Sequence, residues 1–319
     1  MREKTERTTP EWARARERGS SLLLGVVVWC IRKLGSAPIR PLVVPIALYY
    51  CLLDGDARRA SEDYLVRVGT CKPDEGFIAR RVHTYRHFHA FAEVILERLS
   101  LWSGAYDDFD ITLHGHEQVL DLIREGRSGF MVGAHLGSFD VLRVLAQKDD
   151  IPVNVLMFSA NAELINTAIE SLAPDARIRI IDIDVSATTS ASMALRIRQC
   201  IESGEFVATM ADRVDPGGRG RITEVDFLGG RVSLSQGPFL LATILGVPAI
   251  LTLALRTGPR QYEIFFENIG RGTEKATGKN RRDLIDAQLQ IFANHLESFC
   301  KQAPLQWFNF YDFWNPTRE

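Results

Sequence analysis

The chain has 319 residues, 46% of them hydrophobic, which is enough apolar surface for one large domain or two small ones. Its 38 basic and 40 acidic residues give a net charge of −2, so it lacks the positive field that would recruit nucleic acid. Five scattered cysteines without a C-x-x-C pair argue against a disulfide framework or a thiolate zinc site and favour a reducing compartment.

Two apolar runs, 21–31 and 41–53, follow a charged amino-terminal stretch. Helices of this length measure roughly 16 to 20 Å against a hydrocarbon core of about 30 Å, so neither run spans a membrane comfortably. We expect residues 1–55 to be a retained, membrane-associating helical anchor and residues 56–319 to be the functional domain. The alternative is a helical hairpin buried in the soluble core.

Apolar residues at helical spacing predict a long amphipathic helix over 74–102. His83 and His87 lie four residues apart on one face of it, a spacing that can hold a metal. No H-E-x-x-H motif and no obvious carboxylate partner accompany them. Ordinary helix packing is therefore the favoured interpretation, and the sequence predicts no metal site and no cofactor.

Beyond Gly104 short β-rich apolar runs alternate with helical periods, which predicts an α/β fold with a mainly parallel sheet flanked by helices. The expected helices after the first strands are 188–202, 238–245 and 281–301. The expected strands have the sequences DITLH, GFMVGA, VNVLMF, RIRIIDI, EFVATMA, AILTLAL and QYEIFFENI.

The sequence GAHLGSFD, residues 133–140, joins a predicted buried strand to a predicted helix that Ser138 is expected to cap. His135 then lies in the strand-to-helix turn, where the sites of α/β sheets gather. From this turn His135 can fold back toward Asp140, whose carboxylate would fix the tautomer of the imidazole. The pair predicts a general base with its orienting acid. Ser138 lacks the G-x-S-x-G context of a nucleophile.

Residues 210–232 form a second candidate region, in which an acid and several arginines follow another apolar strand. Arginine in such a turn suits phosphate or carboxylate groups, because the guanidinium fork binds them in a bidentate way. A solvated hairpin is the alternative. The helix start at 237–238 could offer free amides to an anion, or could be ordinary capping. The candidate binding residues are Asp212, Arg213, Arg219, Arg221, Gly237 and Pro238.

The closing segment QWFNFYDFW, 306–314, is unusually rich in aromatic residues. Such density is typical of a membrane-interface belt or of the wall of an acyl-chain pocket, and core packing would explain it equally well.

Together these motifs resemble the bacterial lysophospholipid acyltransferase-like superfamily, on the branch of the late acyltransferases of lipid A biosynthesis. The resemblance rests on the H-x4-D of His135 and Asp140, the Asp212-Arg213 pair, FLGG at 227–230, the Gly-Pro pair and the aromatic end. It extends over most of the chain. The sequences of the two termini are more similar to those of acyltransferases of aryl-polyene and related glycolipid pathways.

The resemblance implies a glycerol-3-phosphate acyltransferase-like fold and an enzyme at the cytoplasmic face of the bacterial inner membrane. Such enzymes move a fatty acyl chain from an acyl-carrier-protein or coenzyme A thioester to a lipid or glycolipid acceptor. It also implies that His135 is the base and Asp140 its acidic partner.

Two positions depart from the lipid A pattern. Asp140 stands where glutamate is usual, and residues 157–159 read Met-Phe-Ser in place of a tyrosine-arginine-proline triplet. Loss of that arginine argues against a heavily phosphorylated acceptor. Two rival functions keep the same residues: a thioesterase or other hydrolase with water as acceptor, and a non-catalytic lipid-binding protein.

Overall fold

The computed structural model places one β-sheet at the centre of the chain with helices against both of its faces. The residues that the structure describes are 29–30, 33, 38–102, 105–142, 151–157, 178–182, 189–214, 220–272 and 277–315.

Nine strands occur in these described residues: β1 (Asp110–His114), β2 (Phe130–Gly133), β3 (Val153–Met157), β4 (Ile178–Asp182), β5 (Phe206–Met210), β6 (Ile222–Phe227), β7 (Gly230–Ser235), β8 (Ala249–Gly258) and β9 (Gln261–Gly270). Seven of them form the central sheet in the order β1-β9-β8-β2-β5-β3-β4. Its strand pairs are parallel except for β8 with β9. The predicted α/β fold with a mainly parallel sheet is confirmed. β6 and β7 form a separate antiparallel hairpin.

The described helices are α1 (Val43–Leu53), α2 (Gly55–Arg67), α3 (Phe77–Trp102), α4 (Glu117–Arg124), α5 (Thr189–Glu202), α6 (Gly237–Leu245) and α7 (Gly278–Gln302). The helices predicted over 74–102, 188–202, 238–245 and 281–301 are confirmed. They are α3, α5, α6 and α7. After β2 the described chain forms a 3-10 turn, Phe139–Val141, and the expected helix through VLRVLAQ lies outside the described residues from position 143 onward.

Alternate side chains of the buried strands point to opposite faces of the sheet and enter two separate apolar cores. Phe130 and Val132 of β2 belong to the first core, whereas Met131 belongs to the second. Phe292 of α7 covers the first core and Val119 of α4 covers the second. Since helices cover both faces, the carboxyl ends of the central parallel strands form a rim where polar side chains can emerge.

The aromatic closing segment packs into the first core. Trp307 is fully buried, and Phe313 is nearly so. The backbone N–H of Phe308 donates to the carbonyl oxygen of His135 over 2.7 Å. Core packing is therefore confirmed for these buried aromatics, and the segment also lies directly against the turn that carries His135.

Helix α1 is a surface helix with one narrow buried stripe. Val43, Ala47 and Cys51 are buried at a spacing of four residues, and α1 packs on α3. The other faces of α1 leave large apolar side chains exposed: Val44, Ile46, Leu48, Tyr49, Leu52 and Leu53.

The expected membrane anchor is described only in part. Within the described residues no helix has both the length and the apolar character needed to cross a membrane. Apart from Trp29 and Cys30, the run 21–31 lies outside the described residues. Much of the apolar surface of the run 41–53 is exposed, which disagrees with burial of this half of the alternative hairpin. Contact of α1 with a membrane stays a proposal.

Of the two histidines predicted to pack within α3, His87 is fully buried. Its Nδ1 lies 2.8 Å from the hydroxyl of Ser61 and its Nε2 lies 2.9 Å from the carbonyl oxygen of Trp307. Burial lowers the pKa of His87 to about 4, so that the ring is neutral at pH 7. The packing role predicted for this histidine is confirmed.

Candidate active site

The turn after β2 holds His135 at the rim of the sheet, and its backbone is fixed on both sides. Gly137 N–H donates to Gln306 O and Ser138 N–H donates to Ala254 O, each over 2.9 Å. Gly137 has a φ of +69°, and a Cβ there would lie 1.9 Å from the carbonyl oxygen of Ala254. Only glycine fits this close approach, so the second glycine of the motif sets the path of the turn.

The carboxylate that holds the His135 ring belongs to Asp212. Asp212 Oδ1 lies 2.8 Å from His135 Nδ1, and Asp212 Oδ2 accepts the backbone N–H of His135 over 2.9 Å. β2 and β5 are parallel neighbours, and Ala211 N–H donates to Gly133 O over 3.0 Å. The pairing therefore follows from the sheet, because neighbouring parallel strands bring their carboxyl ends to one place.

Asp212 has two further donors from the closing segment. Trp307 Nε1 donates to Oδ2 over 3.1 Å, and Asn309 Nδ2 donates to the same oxygen over 2.8 Å. Burial alone would raise the pKa of this fully buried acid. Its interactions with His135 and the charge of Arg213 outweigh burial and lower the pKa to about 2. Asp212 is thus a buried anion whose charge is compensated by fixed donors.

The ionised state of Asp212 determines the tautomer of His135. An ionised Asp212 can only accept, so the Nδ1 of a neutral His135 must carry the proton and Nε2 must carry the lone pair. The side chain of His135 is 25% exposed. Within the described part of the chain Nε2 has no hydrogen-bond partner, and it is not among the buried unsatisfied atoms. The basic nitrogen is therefore open to solvent.

Burial and the positive charge of Arg213 lower the pKa of His135 below 6.5, and Asp212 opposes this shift. Arg98 acts in the same direction as Arg213. The imidazole is consequently neutral at pH 7, which is the form that takes a proton from a substrate.

Asp140 is placed differently from the expectation. Its carboxylate lies 2.6 Å from Nε of Arg98 on α3, because the 3-10 turn at 139–141 packs against that helix. The expected pairing of Asp140 with His135 Nδ1 is wrong, since Asp212 takes that nitrogen. The expected cap is also corrected, because the Ser138 hydroxyl is buried and makes no capping hydrogen bond.

Arg213 lies beside the site, as its position after β5 led us to expect. Its Nε donates to Asn309 Oδ1 over 2.8 Å and its Nη2 to Phe308 O over 3.3 Å. The guanidinium carbon lies 5.8 Å from the centre of the Tyr311 ring. Arg213 therefore ties the closing segment to β5 and places a positive charge near His135.

The other candidate binding residues are not joined to this pair. Arg219 lies outside the described residues. Arg221 is exposed at the start of the β6–β7 hairpin, and Gly237 and Pro238 begin α6 beyond it. No hydrogen bond or ion pair between described atoms connects these three residues to His135 or Asp212. The hairpin of the alternative interpretation is present as β6 and β7, and anion binding there remains a prediction.

Three residues of the site had no assigned role at the level of sequence: Trp307, Asn309 and Arg98. The aromatic segment was a visible signal, but the sequence does not show that its indole and amide donors reach an acid 95 and 97 residues earlier.

In the comparisons with known proteins the chain matches no family model and no curated protein. The resemblance to acyltransferases thus depends on the motifs and enters below as a proposal.

Proposed function

We propose that the protein is an acyltransferase that moves a fatty acyl chain from an acyl-carrier-protein or coenzyme A thioester to a hydroxyl of a lipid or glycolipid. The observation that carries this proposal is the neutral His135, held through Nδ1 by buried Asp212 with Nε2 open to solvent. A base of this kind serves an external nucleophile without any acyl-enzyme intermediate.

In the proposed reaction His135 Nε2 takes the proton of the acceptor hydroxyl. The oxygen of that hydroxyl attacks the carbonyl carbon of the thioester at the same time. The tetrahedral intermediate collapses with cleavage of the carbon–sulfur bond, and the imidazolium returns the proton to the leaving thiolate. Asp212 stabilises the transient imidazolium, since it already receives the Nδ1 proton. General-base catalysis of this type contributes about 10²- to 10⁴-fold to a rate.

The positive charge of Arg213 supports stabilisation of the oxyanion that forms on the carbonyl oxygen. Its pKa is lowered by burial, and Tyr311 and Asp212 oppose that shift, so the guanidinium remains charged at neutral pH. A fixed charge in a partly desolvated site acts more strongly than one in water.

An apolar surface on α1 and the first turn of α3, residues 42–53 and 77–78, supports an orientation toward a membrane. Arg40 pairs with Glu93, and Cys51, eleven residues further along, interacts electrostatically with Arg81, so α1 runs antiparallel to α3. This brings the exposed Leu53 toward the exposed Ile78, which is 78% accessible. We infer that this surface lies on the cytoplasmic face of a bacterial inner membrane, where a lipid acceptor would be found.

The function is tested by supplying a labelled acyl thioester with and without a membrane lipid extract and measuring the products by mass spectrometry. An acyltransferase forms an acylated lipid and consumes the thioester faster when lipid is present. Free fatty acid released at one rate with or without lipid would identify a hydrolase. Absence of any turnover with either donor would favour a non-catalytic lipid-binding protein.

A further inference from the structure

A second cluster of chemically reactive side chains lies in the connection between α2 and α3. Cys71 is buried just after α2, Glu75 lies in the connecting loop, and His83 lies on the second turn of α3. The N–H groups of Thr70 and Cys71 both donate to Leu65 O, over 2.9 and 3.0 Å, which anchors the cysteine to the end of α2.

The potential ligand atoms of Cys71, Glu75 and His83 all lie within 4.8 Å of one another, and His83 Nε2 is 3.5 Å from Glu75 Oε1. Zinc with bonds of about 2.0 to 2.3 Å in a tetrahedron separates its ligand atoms by roughly 3.3 to 3.8 Å. The separation of 3.5 Å already lies in this range, and the others, at most 4.8 Å, would reach it after an inward movement of about 1 Å.

The cluster leaves hydrogen-bonding capacity unused. Glu75 Oε2 and His83 Nδ1 are buried, and neither has a hydrogen-bond partner among the described atoms. Buried polar atoms without partners are rare and costly, so two of them at one place point to a ligand.

The surrounding chain holds the loop in place. Arg80 Nη2 donates to the carbonyl oxygens of Pro73 and Glu75, over 2.9 and 3.3 Å, so the loop is held against the first turn of α3. Each of the three side chains is thereby presented from a fixed backbone position, as a metal site requires.

We propose that Cys71, Glu75 and His83 bind one Zn²⁺ ion, with a water molecule as the fourth ligand. Sulfur, imidazole and carboxylate donors together suit zinc better than magnesium or calcium, which prefer oxygen alone. Binding releases the thiol proton of Cys71 to solvent, and the thiolate and carboxylate then balance the charge of the ion. The ion would join the α2–α3 loop to α3, and none of its ligands belongs to the His135–Asp212 pair.

The test uses the full chain, stripped with a chelator and titrated with Zn²⁺ against a chromophoric competitor. We expect one ion per chain. Co²⁺ in place of Zn²⁺ should give a thiolate-to-metal charge-transfer band and the visible absorption of a tetrahedral site, which reports Cys71 ligation without any substitution.

Cys71→Ser and His83→Ala should each weaken Zn²⁺ binding by at least about tenfold, since loss of even an outer-shell partner costs that much. Cys200→Ser and His89→Ala are the matched controls and should leave the affinity unchanged, with circular dichroism confirming the fold of every variant. Less than one bound ion, a cobalt spectrum without the thiolate band, or equal weakening by the control substitutions would each overturn the proposal.

Discussion

Asp212 is the residue on which the candidate site depends. It accepts from the backbone N–H and Nδ1 of His135 and from the side chains of Trp307 and Asn309. Breaking one member of such a buried network leaves the other donors unpaired, which costs more than the loss of a single exposed hydrogen bond. The chain keeps this charge in its interior because the charge is fully hydrogen-bonded.

Replacement of the two acids should separate their roles. Asp212→Asn should lower kcat of acyl transfer by about 10²- to 10⁴-fold, because an amide no longer fixes the tautomer or stabilises the imidazolium. Asp140→Asn, which weakens the pair with Arg98 and leaves Asp212 in place, should lower kcat less than about tenfold. Steady-state kinetics of both variants measures the two losses of kcat. A larger loss for Asp140→Asn than for Asp212→Asn would show that Asp140 orients His135.

The pH dependence of kcat/KM should report the free base. Because the pKa of His135 lies below 6.5, activity should rise with pH through a midpoint below 6.5 and then level off. Arg213→Gln removes a charge that lowers this pKa, so the midpoint should move upward. A midpoint above 6.5 in the unsubstituted protein, or a downward shift in the variant, would contradict the assignment of the base.

At the scale of elements, the turn after β2 joins three parts of the chain. β2 leads into it, β8 receives its hydrogen bond through Ala254, and the closing segment contacts it at Gln306 and Phe308. The turn has little room to change, so the position of His135 depends on the packing of these elements and not on the local sequence alone.

Gly137→Ala should destabilise the protein by more than about 2 kcal/mol, since the new methyl group meets backbone as well as a left-handed φ. Gly204→Ala is the control, because Gly204 has a φ of +77° but no atom within 4 Å of an added Cβ. It should cost only about 1 kcal/mol. Urea unfolding compares the two, and equal losses would show that Ala254 gives way.

Membrane binding should depend on the apolar surface on α1 and the first turn of α3. Leu52→Asp together with Leu53→Asp should reduce co-sedimentation with phosphatidylethanolamine–phosphatidylglycerol vesicles by more than about tenfold, because burial of these side chains is lost. Leu195→Asp, at an exposed apolar position on α5, should leave vesicle binding unchanged. Unaltered vesicle binding of the double variant would contradict membrane contact through α1.

At the scale of the whole molecule, the fold was readable from sequence because short β-rich runs bounded by glycine and proline alternate with helical periods. GFMVGA became β2 and AILTLAL became part of β8. The sheet order was not readable. β9 lies between β1 and β8 because it pairs with each of them, and chain order does not reveal such neighbours.

The same limit explains the error at the site. The place of His135 after a strand indicates its role, but the local sequence suggests a partner five residues away, at Asp140. The true partner lies 77 residues along the chain, after a strand that becomes a neighbour only in the folded sheet. The side chains of Trp307 and Asn309, which donate to Asp212, lie 95 and 97 residues along the chain from it. No local sequence pattern shows that they contact this acid.

The central claim is that Nε2 of His135 removes the proton of the acceptor, and one measurement tests it most directly. Acyl transfer from a labelled thioester to membrane lipid is compared between the intact chain and His135→Ala, with circular dichroism showing that both are folded. Loss of transfer by at least about 10²-fold, with the native spectrum retained, is the expected result. Full activity in a folded His135→Ala variant would contradict the claim.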